Sequence, residues 1–123
     1  MQRCGWGLVA IAGLMISACA TVERAPIVDD RVSAAALAAG AAPEAAPHGR
    51  EVFINNCRQC HSLVNPLSMS EERWSKALVR MSRKAHLEPT DAADLRAYIF
   101  AVRAAAAPVT APNTPPQTPP GSR

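Results

Sequence analysis

Cys57-Arg58-Gln59-Cys60-His61 is the stretch of this 123-residue sequence best equipped for chemistry. Paired thiols can ligate a metal, exchange as a dithiol or add to an activated double bond, and a neutral imidazole beside them can ligate a metal. The C-x-x-C-H pattern suits covalent haem attachment, with each thiol added to one vinyl group and the adjacent imidazole beneath the iron. A structural zinc site needs four ligands, usually as two paired knuckles. Here one pair is joined by His61, with His86 as the candidate fourth. A redox dithiol of the thioredoxin kind needs a βαβ setting, and no stretch alternates strongly enough for a sheet. A five-residue pattern can also arise by chance.

The N-terminus bears on that choice. Arg3 precedes an apolar run from Gly5 to Ile16, and small residues come next at Ser17-Ala18-Cys19-Ala20. A positive residue, a short apolar stretch and small residues read as an export signal, too short for a membrane span of about 20 residues. Ile16-Ser17-Ala18-Cys19 resembles a bacterial lipobox, which would make Cys19 the acylated mature N-terminus. Ala18-Cys19-Ala20 also fits ordinary signal cleavage, which would release a soluble periplasmic protein. In the lipoprotein reading Cys4 leaves with residues 1–18 and Cys19 carries lipid. Cys57 and Cys60 then remain, too few for a wider disulfide framework in an oxidising compartment.

The elements that must position the motif are small. Aromatics are 4% of the chain, while Ala and Pro swell the hydrophobic fraction to 49%. Such a composition bounds the protein at one small domain. A net charge of +3 gives no dense basic face for phosphates and sets nucleic acid aside as a partner. Residues 19–47 contain SAAALAAGAAPEAAP and read as a tether, the alternative being a helix from Val32 to Ala39 lying on the domain. Residues 104–123 read as an extended tail, with six prolines in the sixteen residues from Pro108.

The informative side chains lie in residues 48–103, and three helices are expected there. One runs from Gly49 to about Cys60. A second starts after Ser68, which forms a capping-box pattern with Glu71, or after Ser70, and ends near Lys84. A third starts with Thr90 as N-cap and carries Leu95, Tyr98, Ile99 and Val102 on one face. Three short helices with few large side chains need a staple, and a buried cofactor would supply one.

Gly49-x-x-x-Phe53-x-x-x-Cys57-x-x-Cys60-His61 and Leu95-x-x-Tyr98-Ile99 resemble the two crossing helices of small mono-haem cytochromes c. The likeness covers residues 49–103. It implies an all-α, compact three-helix domain around one covalent haem c held by Cys57 and Cys60, with His61 as proximal iron ligand. Gly49, Phe53, Leu95, Tyr98 and Ile99 would then be fold residues. Pro66 matches the family proline whose carbonyl accepts the proximal ring's Nδ1–H, a bond that would steady the ligand; a simple turn proline is the plain reading.

On the second helix Trp74, Leu78, Met81 and Ala85 share one face, and Arg73, Lys76, Arg80, Arg83 and Lys84 share the other. Trp74-x6-Met81 resembles a compact cytochrome subgroup that includes electron-accepting partners of sulfite-oxidising molybdoenzymes. That resemblance makes Met81 the distal ligand, and His/Met ligation suits electron transfer. The short distance from His61 departs from larger members. Met81 as core, His86 or Met69 as ligand, and His48 as a linker residue are the competing assignments. The basic face either steers an acidic redox partner or is simply solvated.

The expectation is a lipid-anchored cytochrome on the periplasmic face of a bacterial membrane, an electron carrier rather than an enzyme. It would relay electrons from a periplasmic dehydrogenase to an oxidase or another cytochrome. A haem sensor with an open sixth site and a copper- or zinc-binding lipoprotein are the alternatives.

Overall fold

The computed structural model describes residues 24–108, which are helical, with no strand among them. The all-α expectation holds at this level. The signal segment, Cys19 and the proline-rich tail beyond residue 108 lie outside the described residues.

Helix α1, Asp30–Ala38, occupies the segment expected as a tether. Its start is encoded locally: the Asp29 side chain accepts the Val32 N–H at 2.9 Å, and Asp30 lies in the positive first turn. Alanine carries the helix onward until Gly40, at φ 83°, turns the chain away. Val32 and Ala36, four apart, are buried against the rest of the core. The alternative of a helix lying on the domain is therefore the one realised. Its small residues allow α1 to lie close without large side chains.

Helix α2, Ala45–Val52, starts four residues earlier than Gly49 because Pro47 falls in the first turn, where its missing N–H costs nothing. It widens into a π-helical turn over Phe53–Cys57. Helix α3, Glu71–Lys84, is capped by Ser70, whose hydroxyl accepts the Arg73 N–H at 3.3 Å, rather than by Ser68. Helix α4, Pro89–Ala106, uses Pro89 at its first position, so Thr90 lies inside the helix and Glu88 is the cap. It also runs three residues past the 48–103 span in which the helices were expected.

The main contact is α2 against α4. At the crossing Gly49 has no room for a side chain, since an added Cβ would overlap the Asp94 carbonyl. Phe53 sits beneath, with ring centroids 5.9 Å from Tyr98 and 6.4 Å from Trp74. Leu95, Tyr98 and Ile99 are wholly buried. Helix α1 covers another side of α4, while α3 touches α4 more lightly through a face that includes Trp74 and Leu78.

Residues ahead of α1 are also part of the fold. Arg50 donates from Nε to the Pro26 carbonyl at 3.0 Å and from Nη2 to the Ala25 carbonyl at 3.1 Å. The Tyr98 hydroxyl donates to the Pro26 carbonyl at 2.8 Å. Ala25 is fully buried. The core expected to be too small in residues 48–103 is enlarged by α1 and this strap.

Candidate functional site

The cysteine–histidine motif leaves the end of α2 through the π-turn. Such turns insert a residue's worth of extra backbone and re-aim the residues after them, and they recur at functional sites. Here Cys57 is half-buried and Cys60 is exposed, and both thiols are free. Burial, and then the neighbouring Cys60, push the Cys57 thiol above its ordinary range. A redox dithiol depends on a lowered thiol pKa, so Cys57 has the opposite electrostatics.

His61 is exposed, and its Nδ1 lies 2.8 Å from the Ser62 carbonyl. A carbonyl oxygen only accepts, so Nδ1 carries the proton and donates. In a neutral ring Nε2 would then be the nitrogen open to a ligand, as a metal-bound histidine needs. The bond expected from the Pro66 carbonyl is absent. That carbonyl already accepts Trp74 Nε1–H and an Arg103 Nη1–H, both at 2.8 Å, which uses its two lone pairs. Pro66 is fully buried and instead ties the loop after the motif to α3 and α4.

Arg103 was not singled out by sequence reasoning. From the last turn of α4 it also donates to the Met69 carbonyl at 2.5 Å, clamping both ends of the Pro66–Met69 loop. Leu95, Ile99 and Arg103 recur at four-residue intervals. An arginine in line with two buried residues was the available signal.

Met81 and the other candidates separate by environment. Trp74 and Leu78 are buried, Met81 is half-buried, and Ala85 is exposed, so the apolar face of α3 opens towards its C-terminal end. Met69 packs against the core, whereas Met81 is not among the side chains that do. The plain reading of Met81 as core methionine fits less well than the same reading of Met69. His86, at φ 51°, sits exposed on the turn after α3. Arg73, Lys76, Arg80, Arg83 and Lys84 are exposed along the outer side of α3, and Lys76 pairs with Glu72 at 2.7 Å.

His48 is not in a linker. Its Nδ1 is 2.8 Å from Asp94 Oδ2 and its Nε2 is 3.7 Å from Asp91 Oδ1, joining α2 to α4. The Asp94 hydrogen bond, then the nearby carboxylates, raise its pKa above 6.5.

Among the described residues no group of three or more His, Cys, Asp and Glu side chains is gathered to hold a metal ion. The fourth-ligand role weighed for His86 is thus not assembled with Cys57, Cys60 and His61. Haem makes a different demand, for two thiols and one imidazole with a free nitrogen on an open rim. Cys57, Cys60 and His61 would be the residues to hold it. No described helix is long and apolar enough to cross a membrane. No protein-family model, curated protein or solved structure matches the chain.

Proposed function

We propose that the chain is an exported mono-haem c-type cytochrome, anchored through Cys19, that carries electrons between periplasmic redox proteins. The observation that carries the reading is the 2.8 Å approach of His61 Nδ1 to the Ser62 carbonyl, directly after the paired cysteines. The Ser62 carbonyl holds the Nδ1 proton and leaves Nε2 open, one residue from Cys60 and four from Cys57. Bound there, haem iron supplies a one-electron couple. The chain's own residues provide the rest. Cys57 and Cys60 give the two thioether positions, and His61 gives the proximal nitrogen. The Ser62 carbonyl fixes that ring and raises the basicity of Nε2. Met81, half-buried and outside the core, is the thioether offered from α3 as the distal ligand. Trp74 and Arg103 fix the loop between His61 and α3 through its carbonyls. The cations of α3 would steer an acidic partner at a salt-dependent rate.

Expression with a haem-attachment system, then mass and optical spectra, tests the proposal. The expected product carries one covalent haem, a sharp low-spin α-band and a methionine-to-iron charge-transfer band. Low-spin character lost together with that band would favour the sensor with an open sixth site. Purified protein holding zinc or copper and no haem would end the reading.

A further inference from the structure

The strap ahead of α1 leads from the candidate anchor to the candidate site. Arg50 and Tyr98 fasten Ala25 and Pro26, so these residues belong to the packed domain, well ahead of His48. Arg24 in turn donates from Nη1 to the Leu63 carbonyl at 3.4 Å. Leu63 is buried and lies two residues beyond His61. The described chain therefore begins within one arginine side chain's reach of Leu63, just past the cysteine–histidine motif.

Covalent geometry turns this into a distance. Arg24 lies five positions after Cys19, and five extended residues span about 17 Å. A chain free as far as His48 would have spanned about 100 Å. We propose that lipid on Cys19, through this short fastened strap, holds the Cys57–Leu63 face close to the membrane surface. The redox partner is then a protein bound to the same membrane, with its own centre near that surface. One electron passes between the two centres, one oxidised and the other reduced, with no bond made. The inference rests on the reading of Cys19 as acylated and of the motif as the haem site.

A fastened strap differs from a long tether in what it permits. A long flexible chain would let the domain tumble and reach soluble partners, with an effective concentration at the surface that falls steeply with length. Five residues leave the domain little freedom to turn the motif away.

The test uses the acylated, reduced holoprotein in nanodiscs of phosphatidylethanolamine and phosphatidylglycerol bearing a gadolinium-chelate headgroup lipid. Backbone amide signals of Ser62, Leu63 and Val64 should be strongly broadened. Inserting a Gly-Ser segment of about 40 residues between Ala20 and Arg24 should reduce that broadening several-fold, with the fold unchanged. Amides that stay sharp in the native chain, or broadening that the insertion leaves unaltered, would overturn the proposal. Cys19 found unacylated by mass would overturn it as well. Absence of covalent haem would instead sink the functional reading, and it is seen separately in the optical spectrum while the broadening is still measured.

Discussion

At the scale of the residue, the chemistry depends on which carbonyl each side chain finds. Cys57, Cys60 and His61 announce themselves by type and spacing. The Ser62 carbonyl that lies against the His61 ring does not, because every residue has a carbonyl and only the local turn decides which one is near. Pro66 illustrates the same limit: its position was legible, but its carbonyl serves Trp74 and Arg103. Replacing Arg103 with Ala removes donors to the Pro66 and Met69 carbonyls. Hydrogen bonds from a charged group contribute about 1.5–3 kcal/mol each, and Arg103 is part-exposed. A loss of about 2 kcal/mol is expected in urea denaturation, with the Trp74 bond still holding Pro66. Met81 makes the contrasting case. Outside the core, Met81→Ala should cost under about 2 kcal/mol in the apo protein, below the usual range for a buried methionine. In the holoprotein it should abolish the methionine-to-iron band and lower the reduction potential. An unchanged spectrum and potential would remove Met81 as the distal ligand.

At the scale of the element, the α2–α4 crossing joins a steric requirement to an electrostatic one. The recurrence of Leu95, Tyr98 and Ile99 made α4 legible, and Gly49 with Phe53 marked its partner. Helix α1 was harder to read because alanine signals helix without signalling burial, and Gly40 and the nearby prolines obscured where it stops. At Gly49 an alanine would gain up to about 1 kcal/mol of helix propensity. It would also drive a methyl group into the Asp94 carbonyl, and backbone cannot swing aside as a side chain can. Overpacking of this kind costs about 1–3 kcal/mol, so Gly49→Ala should lower the denaturation midpoint despite its better propensity. His48 adds a pH dependence to the same contact. Its folded pKa is raised by Asp94 and Asp91 of α4 and by Glu51 of α2, so its contribution is fully present below pH 6.5. It is lost as pH rises through the raised folded value. Denaturation midpoints measured between about pH 5 and pH 8 should show this decline in the parent, and His48→Gln should flatten it.

At the scale of the whole molecule, the structure moves the N-terminal boundary of the domain. A tether ending at His48 would have left a helical unit of residues 48–103 dependent on its cofactor for a core. Instead Ala25, Val32 and Ala36 join the same buried cluster as Leu95, Tyr98 and Val102. Nothing in residues 24–29 could have announced this role. The irregular residues 25–29 have no helical period, and they are held by their own carbonyls, which are common to every sequence. The consequence can be measured by comparing a chain that begins at Arg24 with one that begins at Ala45. Burying a valine such as Val32 contributes about 1.5–2 kcal/mol, and the Arg50 and Tyr98 bonds to the strap contribute about 1 kcal/mol each. The shorter chain should therefore lose about 4 kcal/mol, a large share of the stability of a small domain. It should also expose Tyr98 to water. Burial pushes the Tyr98 phenol up to about 12 despite the opposing pull of Arg50. Spectrophotometric titration should place its ionisation nearer the ordinary value of 10.0 once the strap is gone. Equal denaturation midpoints and an unchanged tyrosine titration in the two chains would mean that residues 24–44 merely rest on a domain that is complete without them.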